Sequence, residues 1–278
     1  MTTIRNSPTP LHQWVLSSIS HSLQSQIPRD VRILSDSLLE IPENMMEDII
    51  IPDLQVLHKK QGTTGDFPVL VVEVGFSQQY ESLKYATCRA IDETQSVNVS
   101  LMINLKETPA FRTPLLCPSS GVYRHPVTKK NVDKNAILAW LNSSEGGNPP
   151  PENPSDPESP LLFLGARWVG RIEGSLEVWI RDTKTGKAVR KLKPVLFYGS
   201  KATLDKDTPR IDARSANVDV GLKLSDIIPS ADDGLEKPFH IDWADWRESI
   251  NRARTSLVRS RYLTVLKSIK KSGKNKRN

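Results

Sequence analysis

The sequence predicts an α/β fold, and three observations predict it. Two runs of branched apolar residues each carry a carboxylate at or beside their end, Ile49-Ile-Ile-Pro-Asp53 and Val69-Leu-Val-Val-Glu73. Such runs bury themselves as strands. A helix-periodic stretch with Tyr80, Leu83, Thr87, Ala90 and Ile91 on one face follows the second run, and a third apolar run, residues 97–105, comes after it.

The elements can be argued in order. Residues 11–26 form a first helix: Leu11, Trp14, Val15, Ile19 and Leu23 recur at helical spacing, and Pro28 stops it. Residues 31–39 read as a short extended segment. Residues 48–58 and 69–75 are the two central strands, joined by a polar, turn-forming loop at 59–66. Ser77 is the expected N-cap of a helix reaching Glu93. The order is thus helix, strand, strand, strand, helix, strand. Residues 136–141 suggest a short helix. Residues 142–160 are proline-rich and almost free of apolar side chains, the composition of a disordered linker. Beyond them, residues 161–180 and 188–198 read as strands joined by a turn at 182–187. Residues 242–269 read as a long helix whose apolar stripe is Trp243, Trp246, Ile250, Leu257, Tyr262, Val265, Leu266 and Ile269.

Composition excludes several classes. Cys88 and Cys117 have no Cys or His partner at metal spacing, which argues against a disulfide framework and against a zinc site. The five histidines are scattered and lack ligand spacing. No signal-peptide core and no 18-residue apolar run are present, so the expectation is an intracellular protein, nuclear or cytoplasmic, without a membrane partner. The net charge of +6 is uneven: residues 247–278 hold eleven Lys and Arg against one acid, leaving the rest at about −4.

Chemistry concentrates on Asp53 and Glu73. A phosphodiester is anionic and resists attack, so a nuclease neutralises it with a cation, positions a water and stabilises the leaving oxygen. Mg²⁺ takes carboxylate and carbonyl oxygens plus waters, and one or two protein carboxylates suffice. Asp53 and Glu73 can supply these, with the Val74 carbonyl as a further ligand. Lys84, on the following helix, can stabilise charge or orient the water, and Gln78 or Gln79 can assist by hydrogen bonding.

The run Pro52-Asp53, Val71-Val-Glu73-Val-Gly-Phe-Ser77-Gln and Lys84 resembles the PD-(D/E)XK nuclease superfamily. More narrowly it resembles fungal nuclease-like proteins with a PD…EVGFSQ motif, and more distantly Uma2-like endonucleases. The resemblance covers residues 10–107 and implies a restriction-endonuclease-like core with a mixed sheet. It also implies Mg²⁺-dependent hydrolysis of DNA, with Asp53, Glu73, Lys84 and Gln78 in the catalytic site and Asp53, Glu73 and Val74 as metal ligands. Two positions depart from the pattern. Gly75 stands where the superfamily has its lysine, and residues 11–26 contain no acid, so Glu40, Glu43, Glu47 or Asp48 would have to replace the one usually supplied by the first helix.

The expected organisation is a core at 10–107, a connecting segment at 108–141, the linker at 142–160, and a C-terminal extension at 161–278 with a β-hairpin and a basic amphipathic helix. Residues 29–107 hold seven Lys and Arg against thirteen acids, which suits a cation and repels a phosphate backbone. DNA contact is therefore expected through the basic C-terminal helix and tail. The competing class is a binding or interaction module that keeps the nuclease fold and has lost full catalysis.

Overall fold

A computed structural model describes residues 9–28, 31–37, 39, 50–59, 65–113, 122–143, 159–199, 211–212, 218–228 and 235–271. Most of the expected linker, the proposed third acids Glu40, Glu43, Glu47 and Asp48, and the tail beyond Lys271 lie outside them. The fold is α/β with a mixed sheet. The first elements are α1 (Pro10–Gln24), β1 (Arg32–Ser35), β2 (Leu54–Lys59), β3 (Asp66–Phe76), α2 (Tyr80–Glu93) and β4 (Val99–Thr108). They keep the order read from the sequence. Next come β5 (Tyr123–Arg124), β6 (Asn131–Val132), α3 (Lys134–Asn142), β7 (Leu161–Phe163), β8 (Ala166–Val169) and β9 (Arg171–Arg181). The last are β10 (Ala188–Arg190), β11 (Val195–Tyr198), β12 (Ile211–Asp212), α4 (Leu224–Ile227) and α5 (Trp243–Lys271).

Eight strands form one sheet, ordered β1-β2-β3-β4-β9-β11-β12 with β10 on β9. The strands β9, β10, β11 and β12 come from the stretch read as a separate C-terminal extension. Apolar alternation marks a strand but does not say which sheet it joins. By contacts the chain divides into two compact units with interleaved segments, residues 12–106 with 173–249, and residues 1–11 with 107–172 and 250–278.

In the first of these units β3 is an interior strand, buried continuously from Pro68 to Gly75. That pattern belongs to a strand covered on both faces. It pairs antiparallel with β2 (Leu54 opposite Val72) and parallel with β4 (Glu73 opposite Met102). A parallel neighbour requires a crossover, and α2 is that crossover. Val71, Met102 and Trp179 of β9 pack with Leu83, Ala90 and Ile91 of α2, which defines the α2 face of the sheet. The Arg181 N–H donates to the Asn98 carbonyl at 2.9 Å, and a Cβ at Gly174 would fall 3.2 Å from Leu105 Cδ2. Both observations fit an antiparallel β4–β9 pair that sets Glu177 opposite Met102.

Ser77 is not the cap of α2. The helix starts at Tyr80 with Gln79 as N-cap, while Ser77 sits in the left-handed region (φ 56°) and its N–H donates to the Leu105 carbonyl at 2.8 Å. At the other end of α2, Arg181 Nη2 lies 2.6, 2.5 and 2.9 Å from the carbonyl oxygens of Ile91, Thr94 and Val97. These include carbonyls that the helix end itself leaves unpaired. Elsewhere in this unit Phe197 packs against Trp243 and Trp246, each about 1 % exposed. The two tryptophans are core residues.

In the second unit Phe163, Trp168 and Tyr262 meet edge-on or tilted, and the Tyr262 hydroxyl donates to the Leu141 carbonyl at 2.9 Å. Arg261 forks onto both oxygens of buried Glu107 at 2.7 Å and stacks on Phe111. Arg254 is wholly buried and donates to the Ser159 carbonyl. Part of the positive charge that the sequence places on this helix is therefore structural.

Candidate functional site

Asp53 immediately precedes β2, whose first residue Leu54 lies opposite Val72, so the β2–β3 register brings Asp53 to the Glu73 end of β3. Both residues are buried, at 7 % and 5 % exposure. The same register sets Pro52 opposite Val74. A regular ladder would have residue 52 exchange both hydrogen bonds with Val74, but proline has no N–H to give its carbonyl. The Val74 N–H is taken instead by Asp53 Oδ2, at 2.7 Å. The Pro-Asp pair thus precedes the ladder and fixes one carboxylate oxygen on the Val74 N–H. This is the donor set a small hard cation takes: two carboxylates and a carbonyl on adjacent strands.

His12, from the first turn of α1, approaches the same oxygen, with Nε2 3.1 Å from Asp53 Oδ2. Sequence reasoning set this residue aside because it lacks ligand spacing. Its role comes from the packing of α1, which spacing cannot reveal. Among the described residues, no group of three or more His, Cys, Asp or Glu side chains suited to a metal is found. The pair Asp53 and Glu73 is the acid content of this site within them.

Gly75 has a steric reason to be glycine. A Cβ there would fall 2.6 Å from Leu83 Cδ2, with two more Leu83 atoms within 3.4 Å, and Leu83 is 1 % exposed. The buried Leu83 side chain occupies this space, so a lysine two residues after Glu73 would have to displace it. Lys84 follows Leu83 on that helix. Its Nζ is 4.0 Å from Glu81 and 5.8 Å from the centroid of the Trp179 ring. Among the described residues no ion pair joins it to Asp53 or Glu73. Gln78 is exposed in the loop between β3 and α2, and among the described residues its side chain hydrogen-bonds nothing.

The same sheet face holds a third acid that sequence reasoning missed. Glu177 of β9 is buried, accepts from the Tyr80 hydroxyl at 3.0 and 3.2 Å, and lies 3.5 Å from Arg190 Nη1. Burial, reinforced by the Glu177 charge, pushes the Tyr80 phenol up to about 12. The alternating Glu173, Ser175 and Glu177 share one face of β9, and all three are buried. Acids at every fourth position of a strand read ambiguously in sequence because they equally suit a solvated face. Cys88, on α2, is half-buried, and burial pushes its thiol up to about 11, away from the reactive thiolate.

No family model, no curated protein and no solved structure matches the chain. Among the described residues no helix is long and apolar enough to cross a membrane.

Proposed function

We propose that Asp53, Glu73 and the Val74 carbonyl hold one Mg²⁺ ion and that the protein hydrolyses phosphodiester bonds of DNA. The observation that carries this reading is the junction of Pro52-Asp53 with Val74, where Asp53 Oδ2 accepts from the Val74 N–H next to buried Glu73. The order α1-β1-β2-β3-α2-β4 supports assigning the core to the restriction-endonuclease-like class, and the resemblance in motif points the same way. When bound, the cation neutralises the phosphate and activates water. The Val74 N–H and His12 orient the Asp53 carboxylate, and burial of Glu73 keeps it in place. Water adds to phosphorus and gives up a proton, the P–O bond to the leaving oxygen breaks, and that oxygen takes up a proton. Lys84, on α2, supplies positive charge towards the phosphate.

A second reading, a nuclease-fold module without full catalysis, is favoured by one observation: Lys84 is drawn to Glu81 and Trp179 instead of the carboxylate pair. Cleavage of supercoiled plasmid separates the two. The nuclease reading expects nicking with Mg²⁺, none with EDTA, and a loss of at least ~10²-fold in Asp53→Asn and Glu73→Gln. Equal nicking by all three proteins would remove the assigned site. Absence of nicking with retained DNA binding would select the second reading.

A further inference from the structure

Arg190 of β10 pairs in register with Trp179 of β9, and its guanidinium approaches Glu177, two residues before Trp179 on the same face. Lys84 reaches the same indole from α2, within the range of a cation–π contact. Two cations, 40 % and 41 % exposed, therefore flank one tryptophan on the sheet face that carries Asp53 and Glu73. Lys84 also has Glu81 at 4.0 Å, a largely exposed carboxylate that solvent screens.

We propose that Lys84 and Arg190 form a subsite for a nucleic-acid phosphate over Trp179, with Glu177 and Tyr80 as positioning residues for Arg190. The naming of the anion rests on the nuclease reading above. Glu177 is 4 % exposed in its side chain and takes the Tyr80 hydroxyl on both oxygens, so it is a fixed post. A single 3.5 Å contact with that post restrains Arg190 and leaves most of its five donors for a ligand. An arginine fork matches two phosphate oxygens, and a lysine adds a point charge. The Trp179 indole N–H is buried and has no hydrogen-bond partner among the described residues. Buried donors without partners are rare and concentrate where ligands act.

Local charge also calls for such a subsite. Residues 29–107 are acidic in balance, which disfavours a phosphate backbone, and Lys84 is one of only seven cations in that stretch. Arg190 comes from outside it, on β10 at the far side of β9, and adds positive charge to the same sheet.

The test is fluorescence anisotropy with a labelled DNA duplex, and in parallel an RNA duplex of the same sequence, in EDTA over a salt series. The double variant Lys84→Gln/Arg190→Gln should weaken binding about tenfold near 0.1 M salt and lower the log–log salt slope by about one to two. The charge-preserving Lys84→Arg/Arg190→Lys should keep the slope, which guards against loss through misfolding. Preference for one duplex identifies the source of the phosphate. Equal affinity and slope in wild type and the Gln variant would overturn the subsite, as would failure of the wild type to bind either duplex or loss of slope in the charge-preserving variant. Binding that depends on Lys84 and Arg190 without Mg²⁺-dependent cleavage would uphold the subsite and sink the nuclease reading. Cleavage with unchanged binding in the Gln variant would do the reverse.

Discussion

Glycine at position 75 and tyrosine at position 80 show how single residues shape this site. Leu83 fills the space a Gly75 side chain would need, so Gly75→Ala should cost about 1–3 kcal/mol through overpacking, and Gly75→Lys more. Urea denaturation measures both, and a lysine variant as stable as wild type would show that the helix yields easily. Tyr80 donates to a buried carboxylate, a bond to a charged group worth about 1.5–3 kcal/mol when lost. Folding raises its pKa from 10.0 to about 12, so the protonated phenol is the form that stabilises the fold. That contribution is complete below pH 10 and fades as pH rises towards 12. The stability gap between wild type and Tyr80→Phe should therefore be constant up to pH 10 and narrow above it, as thermal melts at increasing pH would record. A gap independent of pH would place the Tyr80 hydroxyl outside this linkage.

Among the elements, α2 ends on its own C-cap Thr94, whose hydroxyl donates to the Ala90 carbonyl, and on an arginine from β9. Its N-cap Gln79 makes no side-chain cap, and its C-terminal carbonyls meet Arg181 of β9. Burial lowers the Arg181 pKa from its usual value. Arg181→Met keeps the stem and removes the donors, and should destabilise the protein by about 1–3 kcal/mol in urea melts. The order of the first six elements was legible because each carries a clean period or an unbroken apolar run. Asp53 and Glu73 were legible because they punctuate such runs. Ser77 misled because a helix-capping residue type sits two residues too early, at a left-handed position whose N–H bonds to Leu105. His12, Glu177 and Arg190 were not legible at all. Their meaning comes from β9, β10 and α1 folding against β3 and β4, and no local pattern in β9 says that it belongs beside β4.

At the scale of the whole molecule, charge is distributed differently from the sequence's suggestion. Arg254 and Arg261 of the basic helix are committed to Ser159 and Glu107, while Arg252, Arg259, Lys267, Lys270 and Lys271 stay exposed. A nucleic-acid contact through that helix would use the exposed set, and its affinity would fall with salt in proportion to the phosphates neutralised. The central claim, however, concerns the oxygens around Asp53. Calorimetric titration with Mn²⁺, a close substitute for Mg²⁺ at oxygen sites, tests it without requiring a substrate. One ion per chain should bind to the wild type, and binding should fall at least about tenfold in both Asp53→Asn and Glu73→Gln. Unchanged stoichiometry and affinity in these variants, or no binding to the wild type, would contradict the assignment.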